Sequence, residues 1–139
     1  MRVEVYESVP AEALEIRHKV FIEEQGFHTD LDETDSVAVH FLLFDDFGFP
    51  VATCRVFTDH EKKVYTLGRL AVLKEHRGKS SGSIVLRKAE EYVKKLGGVK
   101  IQLHAQLQTT AFYEKSGFSA FGDVEYEQGC PHITMIKNL

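Results

Sequence analysis

A loop of small residues, placed between a predicted strand and a predicted helix, carries the clearest chemical signal in the sequence. The loop consists of Arg77, Gly78, Lys79, Ser80, Ser81, Gly82 and Ser83. Backbone N–H groups at the start of a helix have no partner within the helix, and the helix dipole favours an anion there. Because the glycine and serine side chains have little bulk, a pyrophosphate could approach the backbone closely. The loop therefore predicts a phosphate site, and an ordinary capped loop is the alternative.

A second set of candidate residues is polar or charged and comes mostly from the N-terminal half. Its members are Arg17, Asp32, Asp35, His40, Arg55, Arg69 and His104. Guanidinium groups bind carboxylates, so the arginines could pair with the aspartates or bind a substrate carboxylate. The aspartates could instead hold a cationic amine, or lie in a solvated loop. We expect this set to form a substrate pocket, with a structural ion pair as the alternative for Arg17.

These residues need secondary-structure elements to bring them together. The predicted strands span residues 2–6, 37–45, 50–58, 64–73, 99–104, 119–127 and 132–137. A first helix, capped by Ser8 with Pro10 in its first turn, runs to about Glu24. A second presents Val85, Ala89, Tyr92 and Leu96 at helical spacing and ends at residues 97–98, and a short third covers about 109–116. The order β-α-β-β-β-α-β-α-β-β predicts a mixed α/β sheet with helices on its faces.

Composition excludes several classes of function. The 139 residues include 17 Lys+Arg and 21 Asp+Glu, so the formal net charge is −4 and gives no overall field for holding nucleic acid. No apolar run reaches the roughly 20 residues of a membrane span. Charges at positions 2, 4 and 7 interrupt the place where a signal peptide is apolar. Cys54 and Cys130 have no metal-binding spacing, and we expect reduced thiols in a cytoplasmic protein, with a disulfide as the alternative.

The small-residue loop resembles motif A of the GNAT family of N-acetyltransferases, which reads Gln/Arg-x-x-Gly-x-Gly/Ala. Arg77 matches the first position and Gly82 the last, whereas Ser80 stands where the family prefers glycine. We expect Ser80 to be tolerated with a negative φ, because the backbone N–H does the binding. Residues 112–118 resemble motif B of the family, and Gln106 stands where the family usually has asparagine.

The resemblance implies a fold and a co-substrate. The family binds acetyl-CoA between two parallel strands that splay apart within a mixed, twisted sheet, and these strands are here 64–73 and 99–104. The implied donor-binding residues are Leu70, Ala71, Val72, Arg77, Gly78, Lys79, Ser80, Ser81, Gly82, Ser83, Gln106 and Tyr113. The backbone of the first three would bond the pantetheine arm and the thioester carbonyl. We expect one acetyltransferase domain over residues 1–139 and, by analogy with many relatives, a homodimer.

Acetyl transfer to an amine needs a neutral amine, a stabilised oxyanion and a protonated leaving thiolate. The resemblance implies Tyr113 as the general acid and the Val72 N–H as the oxyanion donor, and a core aromatic is the alternative for Tyr113. The base stays open among His40, His104, Glu23, Glu24 and Asp35, with a water relay equally compatible. Cys130 as a nucleophile with His132 as its base is a covalent alternative.

Two further segments resemble the ElaA-like branch of the family. Residues 17–21, followed by the acids of 30–35, make one segment, and residues 129–135 make the other. The first is also similar to acyl-homoserine lactone synthases, which share the fold but are longer. We therefore expect an acetyl-CoA-dependent N-acetyltransferase acting on a small, peptide or protein amine. A non-catalytic acyl-CoA-binding module and a synthase-like acyltransferase are the alternatives.

Overall fold

A computed structural model describes residues 1–59, 61 and 63–139 of the chain. The strands are β1 (Arg2–Tyr6), β2 (Val39–Phe44), β3 (Pro50–Thr58), β4 (Val64–Val72), β5 (Lys100–Gln106), β6 (Ser119–Glu127) and β7 (Cys130–Asn138). The α-helices are α1 (Ala11–Arg17), α2 (Ser81–Lys95) and α3 (Thr110–Lys115). These elements follow one another in the predicted order, so the prediction of a mixed α/β fold is confirmed.

Across the described residues the strands form one mixed sheet in the order β1-β2-β3-β4-β5-β7-β6. The central neighbours β4 and β5 run parallel, and the other neighbouring pairs are antiparallel. The parallel register covers Val64 to Thr66 against Lys100 to Gln102 and stops there, although both strands continue. The two strands therefore separate toward their carboxyl ends, which confirms the predicted splay.

The first helix differs in detail from the prediction. Pro10, not Ser8, is the N-cap residue, and its carbonyl accepts the N–H groups of Ala13 and Leu14. Proline suits this position because its missing N–H would have no helical partner. After α1 the chain continues without a break as a π-helical segment, His18–Glu24, so the predicted end of the helix is confirmed while the wider turns were not expected. No helix in the described part of the chain is both long and apolar enough to cross a membrane.

The core lies where α2 packs on the sheet. Val85, Ala89 and Val93 on its inner face are fully buried, and Tyr92 meets the ring of Phe41 edge-on. Leu96 is exposed, contrary to the predicted apolar face, because the helix ends at Lys95. This packing fixes α2 beside β4 and sets the position of its N-terminus.

Candidate active site

The separation of β4 and β5 opens a cavity of about 260 Å³. Its walls include residues 67–70 of β4 and 103–106 of β5. The π-helical segment and the loop after it close one side, and the β6–β7 hairpin closes another. The cavity is thus built from the separated strands β4 and β5, from the motif B region and from the N-terminal half of the chain.

A bulge shapes the β4 wall. The pairing with β3 jumps from Thr53–Ala71 to Arg55–Gly68, and Arg69 between them takes a positive φ of 53°. Because the bulged strand carries an extra residue, it bends away from regular pairing at this point.

Beyond the bulge, the backbone of Val72 turns toward the opening. The N–H of Leu73 donates to the carbonyl of Val51 on β3, and the N–H and C=O of successive strand residues alternate in direction. Val72 therefore directs its backbone groups away from β3, and its carbonyl accepts a hydrogen bond from Arg77 Nε at 3.1 Å. The register with β5 ended at Thr66, so the Val72 N–H lies on the side where the strands have separated.

Tyr113 of α3 lines the cavity and also packs in the hydrophobic core. Its side chain is 8% exposed, and Phe112 and Phe118 pack edge-on against its ring with centroids 5.0 and 5.8 Å away. Burial, with a smaller contribution from Cys54, raises the pKa of the Tyr113 hydroxyl. The phenol therefore keeps its proton at neutral pH, the state that a proton donor requires.

The small-residue loop enters α2 through a strained residue. Ser80 is the N-cap of α2 and has a φ of 64°, so the prediction of a negative φ was wrong. The chain needs a left-handed residue here, which explains why glycine is preferred at this place in motif A. A Cβ on Gly82 would lie 3.3 Å from Phe112, so glycine also permits close packing at the helix start. The Ser80 side chain does not cap the first turn of α2.

Arg77 and Gln106, both predicted for the donor site, bind residues at the end of the π-helical segment. Arg77 binds Glu24 with two hydrogen bonds, at 2.6 and 2.7 Å. This contact is the main cause that lowers the pKa of Glu24. The Gln106 side-chain amide donates to the next residue, Gln25, at 2.8 Å. Lys79, by contrast, is an exposed side chain.

Arg17 lies in a buried ion-pair network instead of at the cavity wall. Its side chain is 1% exposed and donates two hydrogen bonds to Asp35, at 2.8 and 2.9 Å, and others to Asp30. Burial opposes ionisation of Asp35, but hydrogen bonds from Arg17, from the Asp32 N–H and from Arg55 hold its pKa well below the usual range. The geometry thus favours the structural ion pair for Arg17.

Arg55 and Arg69 complete this network on the cavity side. Arg55 binds Asp32 at 2.6 and 3.1 Å and Asp35 at 2.9 Å, while Arg69 bonds to Asp30 and Asp32. Arg69 is 32% exposed and reaches the cavity, and burial and the nearby Arg55 charge lower its pKa. Sequence reasoning missed Asp30, although it stands in the acidic stretch that includes Asp32 and Asp35.

The histidines occupy different environments. His40 is buried, its Nε2 lies 3.0 Å from the carbonyl of Asp35, and burial lowers its pKa. His104 reaches the cavity and contacts Thr134 at 3.3 Å through Nδ1. His132 also lines the cavity, which sequence reasoning had considered only as a partner of Cys130.

The pair suggested for covalent catalysis is not arranged for it. His132 Nδ1 lies 2.8 Å from the Cys130 carbonyl, whereas the Cys130 thiol contacts the carbonyl of Pro131. Both cysteines are free, as expected, and burial raises the pKa of Cys54, so that thiol is not a nucleophile.

The structure divides the predicted residues into three groups. Those at the cavity wall are Arg55, Arg69, Leu70, His104, Gln106 and Tyr113. Arg17, Asp32, Asp35 and His40 lie outside the described cavity lining and connect to it through Arg55, Arg69 and Asp30. Motif A, with Val72 and residues 77–83, continues from the carboxyl end of β4 into α2.

Comparisons with known proteins support the fold described above. The family model described as an acetyltransferase (GNAT) domain matches residues 6–139. The chain is 30% identical over 131 residues to the uncharacterized N-acetyltransferase YjcF of Bacillus subtilis, covering 91% of each protein. It superposes on Escherichia coli ElaA with a TM-score of 0.85 at 24% identity, over 99% of both chains. An aminoglycoside 6'-N-acetyltransferase complexed with coenzyme A gives a TM-score of 0.77 at 16% identity, over 99% of this chain and 97% of that one.

Proposed function

Because the chain belongs to the GNAT family of acetyltransferases, we propose that it transfers the acetyl group of acetyl-CoA directly to a primary amine. The observation that carries this proposal is the early end of the β4–β5 register, which leaves the backbone of β4 facing a cavity beside Tyr113. A solved structure with the same fold holds coenzyme A, which supports acetyl-CoA as the donor. The acceptor would be a small, peptide or protein amine.

The donor would lie along motif A. The first-turn amides of α2, at Ser81, Gly82 and Ser83, would bind the pyrophosphate, since no acidic residue stands in that turn. Gly78 and Ser80, both at positive φ, would turn the loop toward it, and Lys79 and Arg77 would add positive charge. The backbone of Leu70 and Val72 would bond the pantetheine, whereas the backbone groups of Ala71 face β3. Gln106 would contact the pantetheine from β5.

The chemistry would use two groups at the reacting end. The Val72 N–H would donate to the oxygen that becomes negative when the amine attacks the thioester carbonyl. Tyr113 would give its proton to the sulfur as the C–S bond breaks. Its place at the cavity wall supports this role.

The acceptor would enter from the side opposite motif A. Arg69, His104, Asp30 and Glu127 bring both signs of charge to that part of the cavity wall. The buried network of Arg17, Arg55, Asp32 and Asp35, with His40 behind it, would hold this wall in place. We place the reaction in the cytoplasm, which the two free thiols support.

The proposal is tested by titrating CoA into the protein in a calorimeter and by measuring thiol release from acetyl-CoA. The acceptor panel would contain cadaverine, lysine, S-adenosylmethionine and a hexapeptide with a free N-terminus, with an amine-free reaction as the control. Amine-dependent thiol release is expected. Binding of CoA without turnover would favour the non-catalytic module, turnover only with S-adenosylmethionine would favour the synthase, and no binding at millimolar CoA would contradict the central claim.

A further inference from the structure

The side chain of His132 has one ring nitrogen committed to the backbone. Its Nδ1 lies 2.8 Å from the carbonyl oxygen of Cys130. A carbonyl oxygen only accepts hydrogen bonds, so Nδ1 must carry the proton. In the neutral ring the other nitrogen, Nε2, then has a free lone pair and is basic.

The free nitrogen is at the acceptor side of the cavity. His132 lines the cavity and is 7% exposed, so its ring is held by packing. The carboxylate of Glu127, on the neighbouring strand β6, lies 3.7 Å from Nε2. A proton accepted at Nε2 would therefore lie beside this carboxylate.

The other candidate bases are bound elsewhere, lie outside the described cavity lining, as the exposed Glu23 does, or have no fixed tautomer. Glu24 is bound to Arg77, and the pKa of Asp35 is held well below its usual range by its arginine partners. His40 is buried with Nε2 against a backbone carbonyl. His104 contacts the Thr134 hydroxyl, which can donate or accept, so this contact does not fix which of its nitrogens is free.

We propose that His132 is the general base of the acetyl transfer, an inference that rests on the proposed function. As the amine nitrogen bonds to the acetyl carbon, the proton leaving that nitrogen passes to His132 Nε2. The C–S bond breaks, and the sulfur takes the proton of Tyr113. The products are the N-acetylated amine and CoA thiol, and solvent then carries the proton from His132 back to Tyr113.

Several groups share this wall and would shape its pH dependence. They are Glu127 from β6, His104 from β5, Tyr113 from α3, Asp30 from the loop, and Arg55 and Arg69 across the cavity. Glu125 is the register partner of His132. Because a protonated imidazole has no lone pair with which to accept the amine proton, the rate should fall toward acid pH.

The first test needs no substrate. Protein labelled with 15N-histidine is examined by long-range 1H–15N NMR, and the His132 signals are assigned by their loss in His132→Gln. The expected result is a neutral ring protonated at Nδ1. A ring protonated at Nε2 would overturn the proposal, because no lone pair would then face the cavity.

The second test is kinetic and uses the amine of the panel that wild-type protein acetylates fastest. His132→Gln should lower kcat/KM by about 100-fold, remove the acid limb of the pH profile, and leave CoA affinity within twofold. His18→Gln is the matched control, since His18 is exposed on the π-helical segment. If the His132→Gln protein keeps its rate or the acid limb of its pH profile, the assignment of His132 as the base is contradicted, and the proposed function is not. Wild-type protein that acetylates no amine would contradict the proposed function, and the base with it.

Discussion

Replacing Glu24 by Gln should strengthen the binding of CoA. Arg77 occupies the first position of motif A, yet its guanidinium is bound to Glu24 at 2.6 and 2.7 Å. A pyrophosphate that uses Arg77 must compete with this carboxylate. Glu24→Gln removes the negative charge and keeps the shape, so the competing interaction weakens while Arg77 itself is unchanged.

The size of the effect follows from the exposure of the pair. The side chains of Arg77 and Glu24 are 40% and 36% exposed, and exposed ion pairs contribute about 0.2–1 kcal/mol. If CoA must break the pair, Glu24→Gln should tighten CoA binding by roughly 1.4- to 5-fold, with RT near 0.59 kcal/mol. Calorimetric titration at low and at high salt measures this directly, and the gain should shrink at high salt.

A neighbouring residue provides the matched control. Glu23→Gln removes the same charge one position earlier from an exposed side chain. Equal gains in the two variants would mean that only the overall field changed, which would refute competition for Arg77. Weaker binding of CoA by Glu24→Gln would also refute competition for Arg77, because it would mean that Glu24 holds Arg77 in place for CoA.

Three further changes test other parts of the structure. Tyr113→Phe should lower kcat at least tenfold with CoA affinity near wild type, and an unchanged rate would remove this hydroxyl from the mechanism. Ser80→Gly should raise the free energy of unfolding by about 1 kcal/mol, because a left-handed φ strains serine but not glycine; a lower melting temperature would contradict this. Asp35→Asn should cost about 3 kcal/mol in urea unfolding, since Arg17 and Arg55 lose a buried partner. Because folding lowers the pKa of Asp35, its carboxylate contributes fully to the free energy of unfolding above the unfolded-state pKa of about 4. This contribution is lost as the pH falls toward the folded-state pKa, and the Asn variant should lack this pH dependence.

Much of the fold could be predicted because its signals are local. Alternating and helical apolar patterns gave the order of the elements, and small residues between β4 and α2 marked the start of a helix with free amides. Such patterns depend on neighbours within a few positions, so the sequence alone expresses them. The positive φ of Ser80 was not predicted because no local sequence pattern distinguishes a serine in the left-handed region.

The site was predictable only in part because its contacts depend on register. His132 reaches the cavity because β7 pairs with β5 so that Gln106 faces His132. The contact of Gln25 with Gln106 depends in the same way on the wide turns of the π-helical segment. A shift of one residue in either element would change these partners, and no short-range pattern determines such a shift.

The two sides of the cavity are held by contacts of different strength. On the acceptor side, Arg17 and Arg55 bind Asp35 out of contact with water, where removing one partner costs several kcal/mol. On the donor side, the contacts of Arg77 and Gln106 with the π-helical segment are exposed, and such contacts contribute about 1 kcal/mol or less. A donor that binds at Arg77 would therefore replace exposed contacts and leave the buried ion pairs of Asp35 intact.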